Sequence, residues 1–284
     1  MRENKTNDMI EKLSTNKECK FISLGSLAIA NIFNEVGIDQ FFKSQGPEFN
    51  QNSSNILKLI IYSKLLFPYV SKINYFECME DFNNSDVYKF VEILPSVNED
   101  LISYINTQLV GKFNRDTSDI VCLKTDDVLI IIDNDRIPLY YMEREGTTKA
   151  DIQELLMEFE LIYDEDDIKI KKASPFINSL FDSSIRNEDV YDCKDKFLSY
   201  YLISYIALVL LKILEKKLNY KYPVEKITES LTKSVLLSYD KQNYKVLYCD
   251  EILQAIQKLM DLPYNKDSLK ADEIDRLSAF FSNF

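Results

Sequence analysis

Asp126, Asp127 and Asp133 are the side chains that could do chemistry in this sequence. Acidic groups held close together can grip divalent cations and activate a water or hydroxyl. They stand among 284 residues that include no histidine. That absence removes the imidazole base, so Ser-His-Asp and Cys-His catalysis are excluded, as is any histidine metal ligand. A plainer account competes at the same positions. Asp126 and Asp127 would open a strand, while Asp133 and Asp135 would make a turn through local backbone hydrogen bonds. The run Asp164-Glu165-Asp166-Asp167 lacks the spaced ligands and turn glycine of a calcium loop and reads as a solvated linker.

Two further classes of group could act. Cys19, Cys78, Cys122, Cys193 and Cys249 are odd in number and far apart, with no CxxC pair. A disulfide framework or zinc knot is therefore not expected, and a reducing cytoplasm fits best. Cys122, in a strand-like context, reads as a buried, inert thiol. Phosphate binding needs concentrated lysine and arginine. The candidates for DNA contact are Lys58, Lys64 and Lys72, with Lys89 and Lys112 nearby in sequence, and the basic patch Lys169, Lys171 and Lys172. Against them stands a net charge of -12, whose average field repels a polyanion.

The elements that must position these groups follow from hydrophobic period. Residues 1–20 are polar and read as a flexible N-terminus with no signal-peptide run. From Phe21 to about Lys112 the spacing predicts an all-helical half: a helix stopping at Gly37, another from Asn55 to Leu66, then Lys72–Glu80, Ser85–Ile93 and Val97–Phe113, with Ser85 and Ser96 as caps. The period then changes. Asp127–Ile132 and Ile137–Met142 predict two strands joined by a turn, with Ile120–Leu123 a third. Thr148–Leu161 predicts an amphipathic helix, and Ser174-Pro175 a helix start. A long helix from Cys193 to about Leu218 is the most hydrophobic segment, and Pro223 opens another. Phe197–Leu211 falls short of the about 20 apolar residues that span a bilayer and reads as buried. Leu236–Tyr239 and Val246–Tyr248 predict a hairpin, and Asp250 a cap for Glu251–Met260. Tyr200, Tyr201 and Tyr205 on the long helix could stack on bases, and read more simply as core residues with a polar tip.

Several of these segments, in this order, resemble bacterial insertion-sequence transposases of the DDE type. Ser54-Asn55-Ile56-Leu57-Lys58-Leu59-Ile60-Ile61-Tyr62-Ser63-Lys64-Leu65-Leu66-Phe67-Pro68, with Ser71-Lys72 and Ser85-Asp86-Val87-Tyr88-Lys89, is similar to the family's helical N-terminal region. Arg115-Asp116-Thr117-Ser118 resembles the lead-in to the first catalytic strand, and Asp133-Asn134-Asp135-Arg136-Ile137-Pro138-Leu139-Tyr140-Tyr141 the hairpin after it. Val190-Tyr191 and the stretch from Leu202 to Leu218 resemble the C-terminal helix.

The resemblance implies an RNase H-like domain in which two aspartates and a glutamate hold two divalent metals. It also implies that this chain departs from it. The first aspartate falls on Leu123, with Lys124 beside it; the strand carrying the other aspartate is read as deleted between Thr148–Leu161 and the helix near Ser174; the glutamate falls on Asn178 or Ser179.

The expectation is a mostly α fold with a small β-sheet (α+β). It comprises a helical N-terminal domain over 21–114, then a truncated RNase H-like remnant with C-terminal helices over 115–284. The expected function is that of a transposase-derived, cytoplasmic protein without strand-transfer chemistry, with no catalytic, cofactor-binding or metal residue. It would act as a binding or regulatory module on a protein partner or DNA, with no membrane contact and with self-association left open. Two alternatives stand beside it: an active metal-dependent transposase or nuclease with relocated carboxylates, and an acidic DNA mimic that inhibits a nucleic-acid-binding protein.

Overall fold

The computed structural model describes residues 20–49, 52–66, 74–75, 84–182, 194–238 and 242–282. In chain order the strands among them are β1 (Lys20–Ser23), β2 (Asn74–Tyr75), β3 (Val121–Lys124), β4 (Val128–Ile132), β5 (Pro138–Glu143), β6 (Lys169–Lys172), β7 (Val235–Ser238), β8 (Asn243–Val246) and β9 (Ser268–Lys270). The helices are α1 (Ser26–Val36), α2 (Ile38–Ser44), α3 (Ser53–Leu66), α4 (Asn84–Ile93), α5 (Asn98–Phe113), α6 (Lys149–Glu158), α7 (Pro175–Phe181), α8 (Lys194–Lys217), α9 (Val224–Lys233), α10 (Glu251–Met260) and α11 (Ala271–Ser282). The fold is mostly α with two small sheets, an α+β arrangement.

Local chemistry sets many of these limits. Gly37, at a left-handed φ of 84°, separates α1 from α2, where a side chain would be strained. Thr148 and Asp151 form a reciprocal capping box that starts α6. The Ser174 hydroxyl accepts from the Ile177 N–H ahead of Pro175, and Asp250 accepts from the Leu253 N–H to start α10. Ser96 does not cap. The N-cap of α5 is Val97, and Ser96 instead donates its hydroxyl back to Ile93 O at 2.7 Å.

The backbone divides into two units, each drawn from separated stretches. Unit 1 takes its described residues from Met1–Asn34, Asn55–Phe82 and Lys217–Phe284, and unit 2 from Glu35–Ser54 and Asn83–Lys216. The sequence boundary at residues 114 and 115 falls inside unit 2.

Unit 1 contains a five-stranded sheet in the order β2-β1-β7-β8-β9. β1 runs parallel to β2 and antiparallel to β7, with Ile22 opposite Leu236. Two strands thus lie in the half read as all-helical, and Asn74–Tyr75, inside the expected helix Lys72–Glu80, is one of them. A four-residue strand carries too few side chains to declare a period, and β1 is specified by its distant partner β7. The expected hairpin forms as β7 and β8, with Leu236 opposite Val246, but its second strand is Asn243–Val246 and ends where Val246–Tyr248 was expected to begin. Where the chain leaves β1, the Leu24 and Gly25 N–H groups both donate to Ser234 O, at 2.9 and 3.1 Å. A Cβ at Gly25 would stand 2.0 Å from Leu231 O, so only glycine permits this approach.

Unit 2 contains a four-stranded sheet in the order β5-β4-β3-β6. β3, β4 and β5 form an antiparallel meander, and β6 lies parallel to β3 with Cys122 opposite Ile170. One face packs Cys122, Leu129 and Ile131 against Ile152 and Leu156 of α6. The expected three strands are present, and a fourth, β6, lies between α6 and α7, where no strand was expected. Its four residues are all exposed, so no buried alternation marked it in the sequence.

Helix α8 has 24 residues and is buried continuously from Ser199 to Glu215. Leu198–Lys217 is long and apolar enough to cross a membrane, and 94% of its most apolar stretch is buried inside the protein. Its polar groups are absorbed locally. The Ser199 hydroxyl donates to Val91 O, Ser204 donates to Tyr200 O and Leu180 O, and Lys212 pairs with Glu215 at 2.8 Å.

Two glycine substitutions test this packing in opposite directions. Gly25→Ala must displace backbone and should cost about 3 kcal/mol or more, whereas Gly111→Ala, with open space around its helical position, should add about 1 kcal/mol. Urea denaturation of both variants measures the difference.

Candidate functional site

The two segments flanking β3 and β4 meet in a buried polar knot in unit 2. Arg115 Nε lies 2.6 Å from Asp133 Oδ2, with 1% and 0% of the two side chains exposed. Arg115 also donates to Ile137 O at 3.0 Å and to Asn106 Oδ1, while Asn106 Nδ2 donates to Leu139 O. The other Asp133 oxygen accepts from the Ile137 N–H at 2.7 Å, and Arg136 N–H donates to Asp133 O. These bonds close the β4–β5 turn, where Arg136 takes a left-handed φ of 61°. Burial pushes the Asp133 carboxyl up to about 6 against the opposing pull of Arg115.

At the rim of the knot, Asp135 accepts from Lys216 Nζ at 2.7 Å and from the Asp116 N–H at 3.0 Å. Lys216 donates as well to Phe113 O. Hydrogen bonds from Ser118 and Asn134 hold the Asp116 carboxyl down at about 2. Asp133 and Asp135 therefore do turn and tethering chemistry. Asn106 belongs to this knot and was not singled out in the sequence; the available signal was an amide on the buried face of α5, beside Ile102, Ile105 and Leu109.

The other candidate carboxylates lie at the far end of β3. Asp126 and Asn178 bond reciprocally: Asn178 Nδ2 donates to Asp126 Oδ2 at 2.7 Å, and the Asp126 N–H donates to Asn178 Oδ1 at 2.9 Å. The resemblance places a glutamate at Asn178 or Ser179, and Ser179 here donates its hydroxyl to Phe176 O. Leu123 is half-buried between Ile130 and Lys171, and exposed Lys124 stands directly opposite exposed Lys172. Asp127 O accepts the Arg144 N–H. Among the described residues no group of three or more acidic or cysteine side chains is placed to hold a metal ion.

The lysine candidates separate. Lys58 is 1% exposed, with its ammonium 5.1 Å from the centre of the Phe33 ring, so it is part of the core and unavailable to phosphate. Lys64 is half-buried, and loss of solvent lowers its pKa well below the ordinary value. Lys72 lies outside the described residues, as do residues 1–19, Cys19, Cys78, Cys193 and Val190-Tyr191. Lys169, Lys171 and Lys172 stay exposed along β6, where Lys169 meets Asp119 at 3.5 Å.

Tyr200, Tyr201 and Tyr205 are all buried, and the Tyr205 hydroxyl reaches Leu139 O. They are core residues, and the Tyr200 hydroxyl donates to Asp182 O. Burial pushes the Cys122 thiol up to about 11, which leaves little thiolate at neutral pH. No family model, curated protein or solved structure matches the chain.

The raised Asp133 value gives a signed prediction. An unfolded aspartate titrates near about 3.9, so Asp133 contributes most to folding below about pH 4, and that contribution is lost as pH rises through about 6. Arg115→Met strands the carboxylate without its counter-charge and should cost about 3–5 kcal/mol at pH 7.5. The deficit should shrink as pH falls toward 5, because protonation removes the stranded charge. Urea denaturation across that range checks it; a deficit that does not change with pH contradicts the account.

Proposed function

We propose that this chain is a non-catalytic binding module, related to DDE-type transposases and lacking their strand-transfer chemistry. The observation that carries the reading is the Asp126–Asn178 pair, with Leu123 and Lys124 beside it. A two-metal centre needs several carboxylates free to face two hard cations. Here an amide occupies the one carboxylate, a leucine stands where the resemblance puts another, and Lys124 and Lys172 add positive charge to the same end of the sheet.

The sheet order β5-β4-β3-β6 supports the relation to an RNase H-like domain. Here the antiparallel meander β5-β4-β3 is extended by β6, which runs parallel to β3. The Asp133 and Asp135 bonds also favour the non-catalytic reading, since both carboxylates are spent on Arg115, Lys216 and backbone N–H groups. The activity left to such a chain is non-covalent, in the cytoplasm, on a protein partner or on DNA. The exposed lysines of β6, together with exposed Lys89, are described candidates from the sequence that remain available to a partner.

Purified full-length protein incubated with supercoiled plasmid and Mg²⁺ or Mn²⁺ should leave the plasmid intact, and calorimetric titration with Mn²⁺ should show no specific uptake. Nicking or linearisation that EDTA abolishes would overturn the reading.

A further inference from the structure

The outer edge of β6 is an open pairing surface. Ala173 N–H donates to Lys124 O on β3 at 2.9 Å. Backbone direction alternates along a strand, so Lys169 and Lys171 also turn their peptide groups toward β3. The N–H and C=O of Ile170 and Lys172 then face away from the sheet. Among the described residues no strand or backbone group answers them.

The side chains on this edge define what could. Ile170 is 45% exposed, an apolar group left in water between lysines. Lys169 is partly neutralised by Asp119, and the acidic run Asp164–Asp167 precedes the strand. Among the described residues Lys171, Lys172 and the neighbouring Lys124 have no ion-pair partner. The unspent positive charge therefore sits toward the end of the strand, in a chain of net charge -12. Lysines on an edge repel neutral aggregation and basic strands, and the same charges select an acidic one.

We propose that β6 pairs with an extended acidic segment of a partner protein, which adds a fifth strand beside it. Main-chain bonds to Ile170 and Lys172 supply the attachment, and acidic side chains meeting Lys171, Lys172 and Lys124 supply the selection. The phosphates of a DNA duplex would use the lysines, but they only accept, so they would leave the outward C=O groups unanswered and Ile170 uncovered. The proposal rests on the reading of the chain as a binding module.

The test uses full-length protein and three fluorescent probes: a short peptide with consecutive glutamates flanked by valines, so that acids face Lys171 on one side of the strand and Lys172 and Lys124 on the other, the same peptide with lysine for glutamate, and a DNA duplex. Binding is followed by anisotropy, and hydrogen exchange of the Ile170 and Lys172 amides is measured with and without each probe. The acidic peptide should bind, more weakly as salt rises, and should protect both amides, while the basic peptide should not bind. The double substitution Lys171→Glu, Lys172→Glu should weaken binding about tenfold or more. Ile170→Ala should weaken it less. Both variants alter exposed side chains, and their circular dichroism should match the parent. Amides already protected in the free protein would mean that the edge is covered, and would overturn the proposal. So would binding of DNA alone, or peptide binding without protection. Failure here with plasmid left intact removes the docking surface only; metal-dependent cleavage removes the parent reading.

Discussion

An ion pair with almost no solvent holds unit 2 in register. Arg115 follows the end of α5, and Asp133 stands where β4 turns toward β5, so their contact ties helix to sheet. Burying two charges is costly, and mutual attraction repays the cost only when every remaining donor and acceptor is met. Here Asn106 Oδ1 and Ile137 O accept from the guanidinium and the Ile137 N–H donates to Asp133 Oδ1, while Arg115 Nε and Asp133 Oδ2 face each other as an ion pair without hydrogen-bond alignment. The pairing shifts between Ile131 and Ile132, where the ladder is irregular, so the turn geometry and the ion pair specify each other. What the pair supplies is a single arrangement of these strands more than net stability.

That arrangement decides which acidic groups are available for chemistry. Once Asp133 is committed to Arg115, and Asp135 to Lys216 and the Asp116 N–H, neither can face a metal. At the other end of β3, Asp126 is closed on Asn178. This distribution supports the proposed binding reading, because Asp126, Asp133 and Asp135 are engaged in holding backbone and side chains in place.

Charge is partitioned by burial in the same way. Lys58 lies against Phe33 within the core, whereas the lysines of β6 are exposed. Both sets are indistinguishable in a composition count. A lysine in a periodic apolar helix such as α3 is carried inward with its neighbours, its long stem packing as a hydrophobe. A lysine on an edge strand keeps its head in water. The single long helix α8 shows the limit of composition from the other side, since its apolar length is accounted for by burial inside the protein.

Much of the secondary structure was legible in the sequence because its causes are local. Helical period, the serine and aspartate caps at Ser174 and Asp250, the glycine at Gly37 and the β-branched run of β4 each act within a few residues. The turn role of Asp133 and Asp135 was legible for the same reason. Strands β1, β2, β6 and β9 were not, because β2 and β9 have only two and three residues, β6 buries no alternate side chain, and β1 and β6 are specified by partners far along the chain. The partnership of Arg115 with Asp133, the closure of Asp126 on Asn178 and the burial of Lys58 are likewise decided only when distant segments meet. Sequence order cannot set the distance between two charges or the solvent left around one; folding does, and those two quantities determine which of this protein's charged groups remain free to act.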